Sequence, residues 1–204
     1  MSGFESNRND YQIILQIIKE SSTVLDLGCE EGDLLYLLEK YKKIKGSGVE
    51  ISEDGVRECV KKGLSVYQGD IDAGLSDYEA NSVDYVLLVQ TLQVVHKPSF
   101  VINEMLRVGK QAIITFPNFA YWGIRLNFLI TGTMPRTPEN PYEWYNSPNI
   151  HHLSIRDFQI YCSANRIRII QEKHFKSMYS PKVEIVKRLP NLFAGLGVFV
   201  ITKM

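Results

Sequence analysis

The sequence predicts one α/β domain, residues 1–204, built on a mainly parallel sheet with helices on both faces. Three observations carry this. Short apolar runs alternate with helical patterns over the first two-thirds of the chain. Val83–Val89 is almost continuously apolar, as a strand buried on both faces must be. The first apolar run ends in a glycine-bearing turn that opens directly into an amphipathic helix.

Taken in order, Tyr11–Glu20 reads as an amphipathic helix, with Asp10 as its cap, filling an N-terminal helical segment of residues 1–20. Thr23–Leu27 is the first strand. Leu34, Leu37, Leu38 and Tyr41 then share one helical face. Gly48–Ile51 is a second strand, and Ser52 caps a helix carrying Val56, Cys59 and Val60. Leu64–Tyr67, Val83–Val89 and Gln111–Phe116 are further strands, with a helix over Ser99–Arg107. Residues 117–152 read as a loop or lid insertion holding a helix near Trp122–Ile130 and Pro135, Pro138, Pro141 and Pro148. Ser154 and Asp157 form a capping-box pattern before a last long helix. Strand-like runs follow at Arg166–Phe175 and Gly197–Thr202.

Composition narrows the function. The chain is 45% apolar and 23% charged, and 23 Lys and Arg balance 23 Asp and Glu. A zero net charge argues against a nucleic-acid binder that relies on a large positive field. The first ten residues have no apolar core, so no signal peptide is expected. The uncharged stretches 111–124 and 189–202 are too short to cross a membrane and contain Pro117 and Pro190. Cys29, Cys59 and Cys162 show no C-x-x-C spacing, which predicts free thiols, a cytoplasmic setting and no metal site.

Three features carry chemistry. In Val24–Gly32, Gly28 lets a ligand approach the backbone, Gly32 helps shape the turn, Asp26 braces it, and the following helix offers free N–H groups. Glu50, beside Ile51 and 24 residues after Asp26, ends the second strand, where a carboxylate accepts both hydroxyls of a ribose. Asp70, 20 residues further, can accept from an adenine amino group, with Ile71 against the ring. Each alone is a common turn or a solvated strand end. The ordered set, each after a strand, points to an adenosine-type ligand. A dinucleotide fingerprint needs G-x-G-x-x-G. Here Glu30 and Asp33 would repel a pyrophosphate, so S-adenosylmethionine, or S-adenosylhomocysteine, is expected rather than NAD.

The residues Asp26-Leu27-Gly28-Cys29 with Gly32, Gln68–Asp72 and Asp84-Tyr85-Val86 resemble class I methyltransferases. That likeness implies a Rossmann-like, seven-stranded sheet ending in an antiparallel C-terminal pair. Val89–Gln93, Glu104–Gly109, Phe116–Phe119 and Trp144–His151 are more particular, and together resemble the MetW-like methionine biosynthesis family. The resemblance implies a cofactor site at Asp26, Gly28, Cys29, Gly32, Glu50, Ile51, Asp70, Ile71 and Gln90. It also implies association with a homoserine O-acetyltransferase, and it names no methyl acceptor. The family's loop reads D-L-G-C-G-x-G, and Glu30 replaces its middle glycine. A Glu side chain there must point away from the ligand, or it crowds the ligand and repels its carboxylate.

On the acceptor side, the catalytic candidates are Gln90, Asn118 and His151. No N-P-P-Y-type motif follows the fourth strand. Asn118, Trp122, Tyr142, Trp144 and Tyr145 either wall a pocket over a sulfonium or clasp the long loop on the sheet, and burial of apolar area favours the clasp. His151 and His152 are the only paired histidines. Two functions stay open. One is transfer of a methyl group to a small molecule by in-line displacement. The other is a non-catalytic partner that docks on the acetyltransferase, with residues 131–149 as a docking surface.

Overall fold

The computed structural model describes residues 8–180 and 182–204. Seven strands form one sheet: β1 (Thr23–Leu27), β2 (Lys45–Glu50), β3 (Val66–Gln68), β4 (Val83–Val89), β5 (Gly109–Pro117), β6 (Ile167–Phe175) and β7 (Leu196–Lys203). Their order is β3-β2-β1-β4-β5-β7-β6. The first five pair in parallel, while β7 runs antiparallel to both β5 and β6. The helices are α1 (Asn9–Ile17), α2 (Asp33–Lys42), α3 (Glu53–Lys61), α4 (Pro98–Val108), α5 (Trp122–Thr131), α6 (Ile155–Ala164) and α7 (Pro190–Phe193). Thus the expected mixed sheet with an antiparallel C-terminal pair is present.

The period of two along each strand builds a core on both faces. Leu25, Val86, Ile114 and Phe199 pack with Ile102, Met105 and Phe158 of α4 and α6. Their neighbours Val24, Leu87, Ile113 and Val200 pack with residues of α1, α2 and α3, among them Ile14, Leu38 and Cys59. Ser52 caps α3 through Gly55 N–H. Ser154 and Asp157 close a reciprocal capping box on α6.

Several boundaries differ from expectation. Asp10 does not cap α1. Arg8 holds that position, and Asp10 is buried in the first turn, where Arg8 Nη2 donates to it at 2.6 Å. The helix starts early because Asn9 is tied to residues 177–180: its N–H donates to Met178 O, and its side chain to Ser177 O and Ser180 O. It also stops at Ile17, short of Glu20, since Ile18 is extended. The third strand is Val66–Gln68, later than expected, because its partners are Gly48, Val49 and Glu50. The short α7 begins at Pro190 and carries no long periodic pattern. Among the described residues, no helix is long and apolar enough to cross a membrane.

Candidate functional site

The strand order reverses between β1 and β4, and open α/β sheets bind ligands beside such a point, at the carboxyl ends of the strands. The register sets those ends side by side. Leu27 lies opposite Val49, and Glu50 opposite Gln68. Gly28, Glu50 and Gly69-Asp70 therefore stand in a row along one edge. Beside them is a cavity of about 610 Å³.

Its floor holds Gly28, Glu30, Glu50, Ile51, Asp70, Ile71, Asp72, Gln90 and Thr91. Its roof comes from distant segments: Arg8, the stretch Pro138–Tyr142, Pro148-Asn149, and Met178-Tyr179. Residues 138–149 thus lie over the strand ends. They are held there by Ile150 N–H and His151 N–H, which both donate to Gln93 O at 2.8 and 3.0 Å, and by Asn149 Nδ2 donating to Asn140 Oδ1 at 2.8 Å.

The glycine loop is set by backbone geometry. Gly28 and Gly32 have φ of +69° and +77°, and a Cβ on Gly32 would sit 2.5 Å from Leu64 Cδ1. Both positions demand glycine. Glu30, between them, also has positive φ, at +50°. Glu30 N–H donates to Glu50 Oε2 at 2.9 Å, and Ser52 N–H to Glu50 Oε1 at 2.8 Å. Each carboxylate oxygen keeps lone-pair capacity for a further donor. The Glu30 carboxyl is raised by partial burial, and then further by Glu50, Glu31 and Asp33, while Arg8 pulls it down.

Asp26 does not reach the cavity wall. It is fully buried beneath the loop, and among the described residues its Oδ1 has no partner. Burial above all, then the charge of Glu30, pushes its carboxyl up to about 8, against the pull of Arg8. Cys29 also points away: its sulfur packs on Gly48 and lies 3.9 Å from Cys59 Sγ. Gly32 caps α2 behind the wall. At the other end of the row, Asp70 Oδ1 accepts Asp72 N–H at 2.8 Å, and Asp72 in turn accepts the N–H groups of His96 and Lys97 at 2.9 and 2.7 Å.

The acceptor-side candidates separate. Gln90 lines the cavity with positive φ, and its Nε2 donates to Thr115 Oγ1 at 3.0 Å. Neighbouring Gln93 lines it too, and among the described residues its buried Oε1 has no partner. Asn118 is elsewhere. Its Nδ2 donates to Ala194 O at 2.7 Å and Asn191 O at 3.2 Å, and its Oδ1 accepts Ala120 N–H at 3.1 Å, so it ties β5 to α7. His151 does not line the cavity, and His152 packs edge-on against Phe119.

Of the aromatic set, only Tyr142 reaches the wall. Trp144 and Tyr145 stack edge-to-face on each other and are 78% and 69% exposed. They form neither a sulfonium pocket nor a buried clasp, because the turn closed by Asn146 N–H on Glu143 O carries them outward. Trp122 also faces outward, on α5.

The family model described as methionine biosynthesis protein MetW matches residues 8–201. The chain belongs to the MetW family. A curated relative, the bifunctional methionine biosynthesis protein MetXA/MetW of Rhodopirellula baltica, is 38% identical over 198 residues, which is 93% of this chain and 32% of that protein. This MetW-family chain therefore spans about a third of the relative's length. Two solved structures share its fold. One is a SAM-dependent methyltransferase from Thermotoga maritima, with TM-score 0.69, 18% identity and coverage of 96% of this chain and 88% of the other. The second is a SAM-dependent methyltransferase from Archaeoglobus fulgidus, with TM-score 0.69, 16% identity and coverage of 95% and 91%.

Sequence reasoning missed several wall residues of this MetW-family fold. Arg8, Glu139, Met178 and Tyr179 carry no local motif, and tertiary packing alone brings them to the strand ends. Asp72 had a signal, since it lies in the Gln68–Asp72 motif, and its clamp on the backbone of residues 96 and 97 follows from its acceptor chemistry.

Proposed function

We propose that the cavity binds S-adenosylmethionine, or S-adenosylhomocysteine, and that the protein serves methionine biosynthesis. The row of groups at neighbouring strand ends carries this reading. In it, Asp70 and Ile71 take the adenine, Glu50 takes the ribose hydroxyls, and the 5′ substituent runs over Gly28 and Glu30 toward Gln90. The backbone of Gly28 gives close approach without a side chain. Methyl transfer at Gln90 would need mainly alignment, since in-line displacement at a sulfonium carbon depends on positioning. The three cysteines are free and buried, as suits a reducing cytoplasm. Calorimetric titration with S-adenosylmethionine and S-adenosylhomocysteine tests this. A saturable, one-to-one isotherm with either is expected, and silence from both with folded protein overturns it.

A second reading concerns a partner, and α5 favours it. None of its residues is buried, although six of its ten residues are large and apolar or aromatic besides Gly123, Arg125, Asn127 and Thr131, and Leu129 and Ile130 are 81% and 72% exposed. Exposed apolar patches of this kind mark contact surfaces. The Rhodopirellula relative joins MetXA and MetW in one chain by name. We infer that α5, with the adjoining residues 131–149, docks on a homoserine O-acetyltransferase. Co-purification with that enzyme and its activity with and without this chain test the reading. Absence of both a complex and an activity change rejects it.

A further inference from the structure

Five carboxylates stand on the cavity wall: Glu30, Glu50, Asp70, Asp72 and Glu139. Four are committed to backbone donors. Glu50 accepts from residues 30 and 52, Asp70 from 72, Asp72 from 96 and 97, and Glu139 from Met178 N–H at 3.3 Å. Among the described residues, Glu30 alone of the five accepts no hydrogen bond at its carboxylate. The wall's guanidinium, Arg8, grips buried Asp10 with two nitrogens, at 3.2 and 2.6 Å. Asp10 is the first partner of that charge, and Arg8 acts on Glu30 more weakly, through space. Glu30 and Glu50 share this wall, linked by the Glu30 N–H that Glu50 accepts. Two carboxylates on one partly desolvated wall favour a cation beside them.

The row also sets which part of a ligand meets Glu30. β3, β2, β1 and β4 are consecutive neighbours, so a nucleoside with its base at β3 and ribose at β2 carries its 5′ substituent across β1. Glu30, in the loop that follows β1, puts a charged side chain on the wall there.

We propose that Glu30 makes the 5′ end of this site selective for a cationic adenosyl ligand, so that a sulfonium binds in preference to the matching neutral thioether. This rests on the nucleoside reading above. S-Adenosylmethionine and S-adenosylhomocysteine differ by one methyl group and the sulfonium charge, and 5′-methylthioadenosine lacks the charge, the amine and the carboxylate altogether. A site that separates the first two reads the methylated state of the cofactor. A sensor of methyl-donor supply needs that discrimination, and a transferase uses it to release its spent cofactor.

Titration of the full chain with all three compounds tests the proposal, using wild type, Glu30→Gln and Glu30→Gly. The wild type is expected to bind S-adenosylmethionine at least tenfold more tightly than S-adenosylhomocysteine. Both variants should shrink that gap to threefold or less, chiefly by weakening the sulfonium, while 5′-methylthioadenosine binds all three proteins alike. Equal binding of the two amino-acid ligands by wild type, or a gap that survives both substitutions, overturns the role of Glu30 and leaves the nucleoside site standing if 5′-methylthioadenosine still binds. Failure of all three compounds overturns the nucleoside reading and this proposal with it.

Discussion

Glu50 Oε2 accepts the backbone N–H of Glu30 at 2.9 Å, so the carboxylate proposed to take the ribose also holds the glycine loop. The last residue of β2 thereby sets the shape of the turn after β1. Glu50→Ala should lower stability by about 1–3 kcal/mol, because two backbone N–H groups lose their acceptor. It should also weaken S-adenosylmethionine by at least tenfold. Glu50→Gln, which keeps one acceptor oxygen, should recover more of the stability than of the affinity. Thermal melts and calorimetry on the two variants separate these effects, and wild-type affinity in both would remove Glu50 from the site.

Glu30 is a non-glycine residue held at φ +50° between two glycines. A left-handed conformation costs an ordinary residue about 1–2 kcal/mol. Glu30→Gly should therefore stabilise the unliganded protein by about 1 kcal/mol after the greater flexibility of the unfolded chain is counted. For a chain of this size that is a rise of about 2–4 °C in melting temperature. A fall in melting temperature would show that the Glu30 side chain contributes packing that outweighs the strain.

Asp26 gives a pH dependence of definite sign. Its folded carboxyl titrates near 8, against 3.8 for the unperturbed group, with burial the main cause. Between those values the folded state holds a proton that the unfolded chain releases. The Asp26 contribution to stability is thus fully present below about pH 4 and is lost as pH rises toward 8. Asp26→Asn should abolish that slope and melt several degrees above wild type at pH 8. Melting curves from pH 5 to 8.5 check it, and parallel curves for the two proteins would reject it.

Asn118 bonds to backbone at Ala120, Asn191 and Ala194. Asn118→Ala should cost about 1–3 kcal/mol through unsatisfied buried groups. Ligand affinity should change by no more than about twofold. A large loss of affinity at normal stability would return Asn118 to the list of reacting residues.

On α5, the double substitution Leu129→Asp with Ile130→Asp should leave the melting temperature within about 1 °C of wild type, because neither side chain is buried. It should abolish co-purification with homoserine O-acetyltransferase. Retention of the complex would place the contact elsewhere.

Most of the fold was legible because it is local. The alternation of periods two and 3.6 marked β1, α2, β4, α4, α5 and α6 to within a residue or two, and Ser52, Ser154 and Asp157 announced their caps. The spacing of Gly28, Glu50 and Asp70 was equally local, since each follows its own strand. By itself, then, the sequence determined the sheet, the order of its carboxyl ends and the family. Tertiary structure decided what lines the cavity. It turned Cys29 inward and Asn118 toward α7, carried Trp144 and Tyr145 outward, and brought Arg8, Glu139 and Met178 over the strand ends. It also decided that, among the described residues, the Glu30 carboxylate accepts no hydrogen bond, unlike the four other wall carboxylates. The reason is physical: secondary structure follows from neighbouring residues, whereas a side chain's surroundings depend on partners up to some 170 residues away, as Asn9 and Ser180 are.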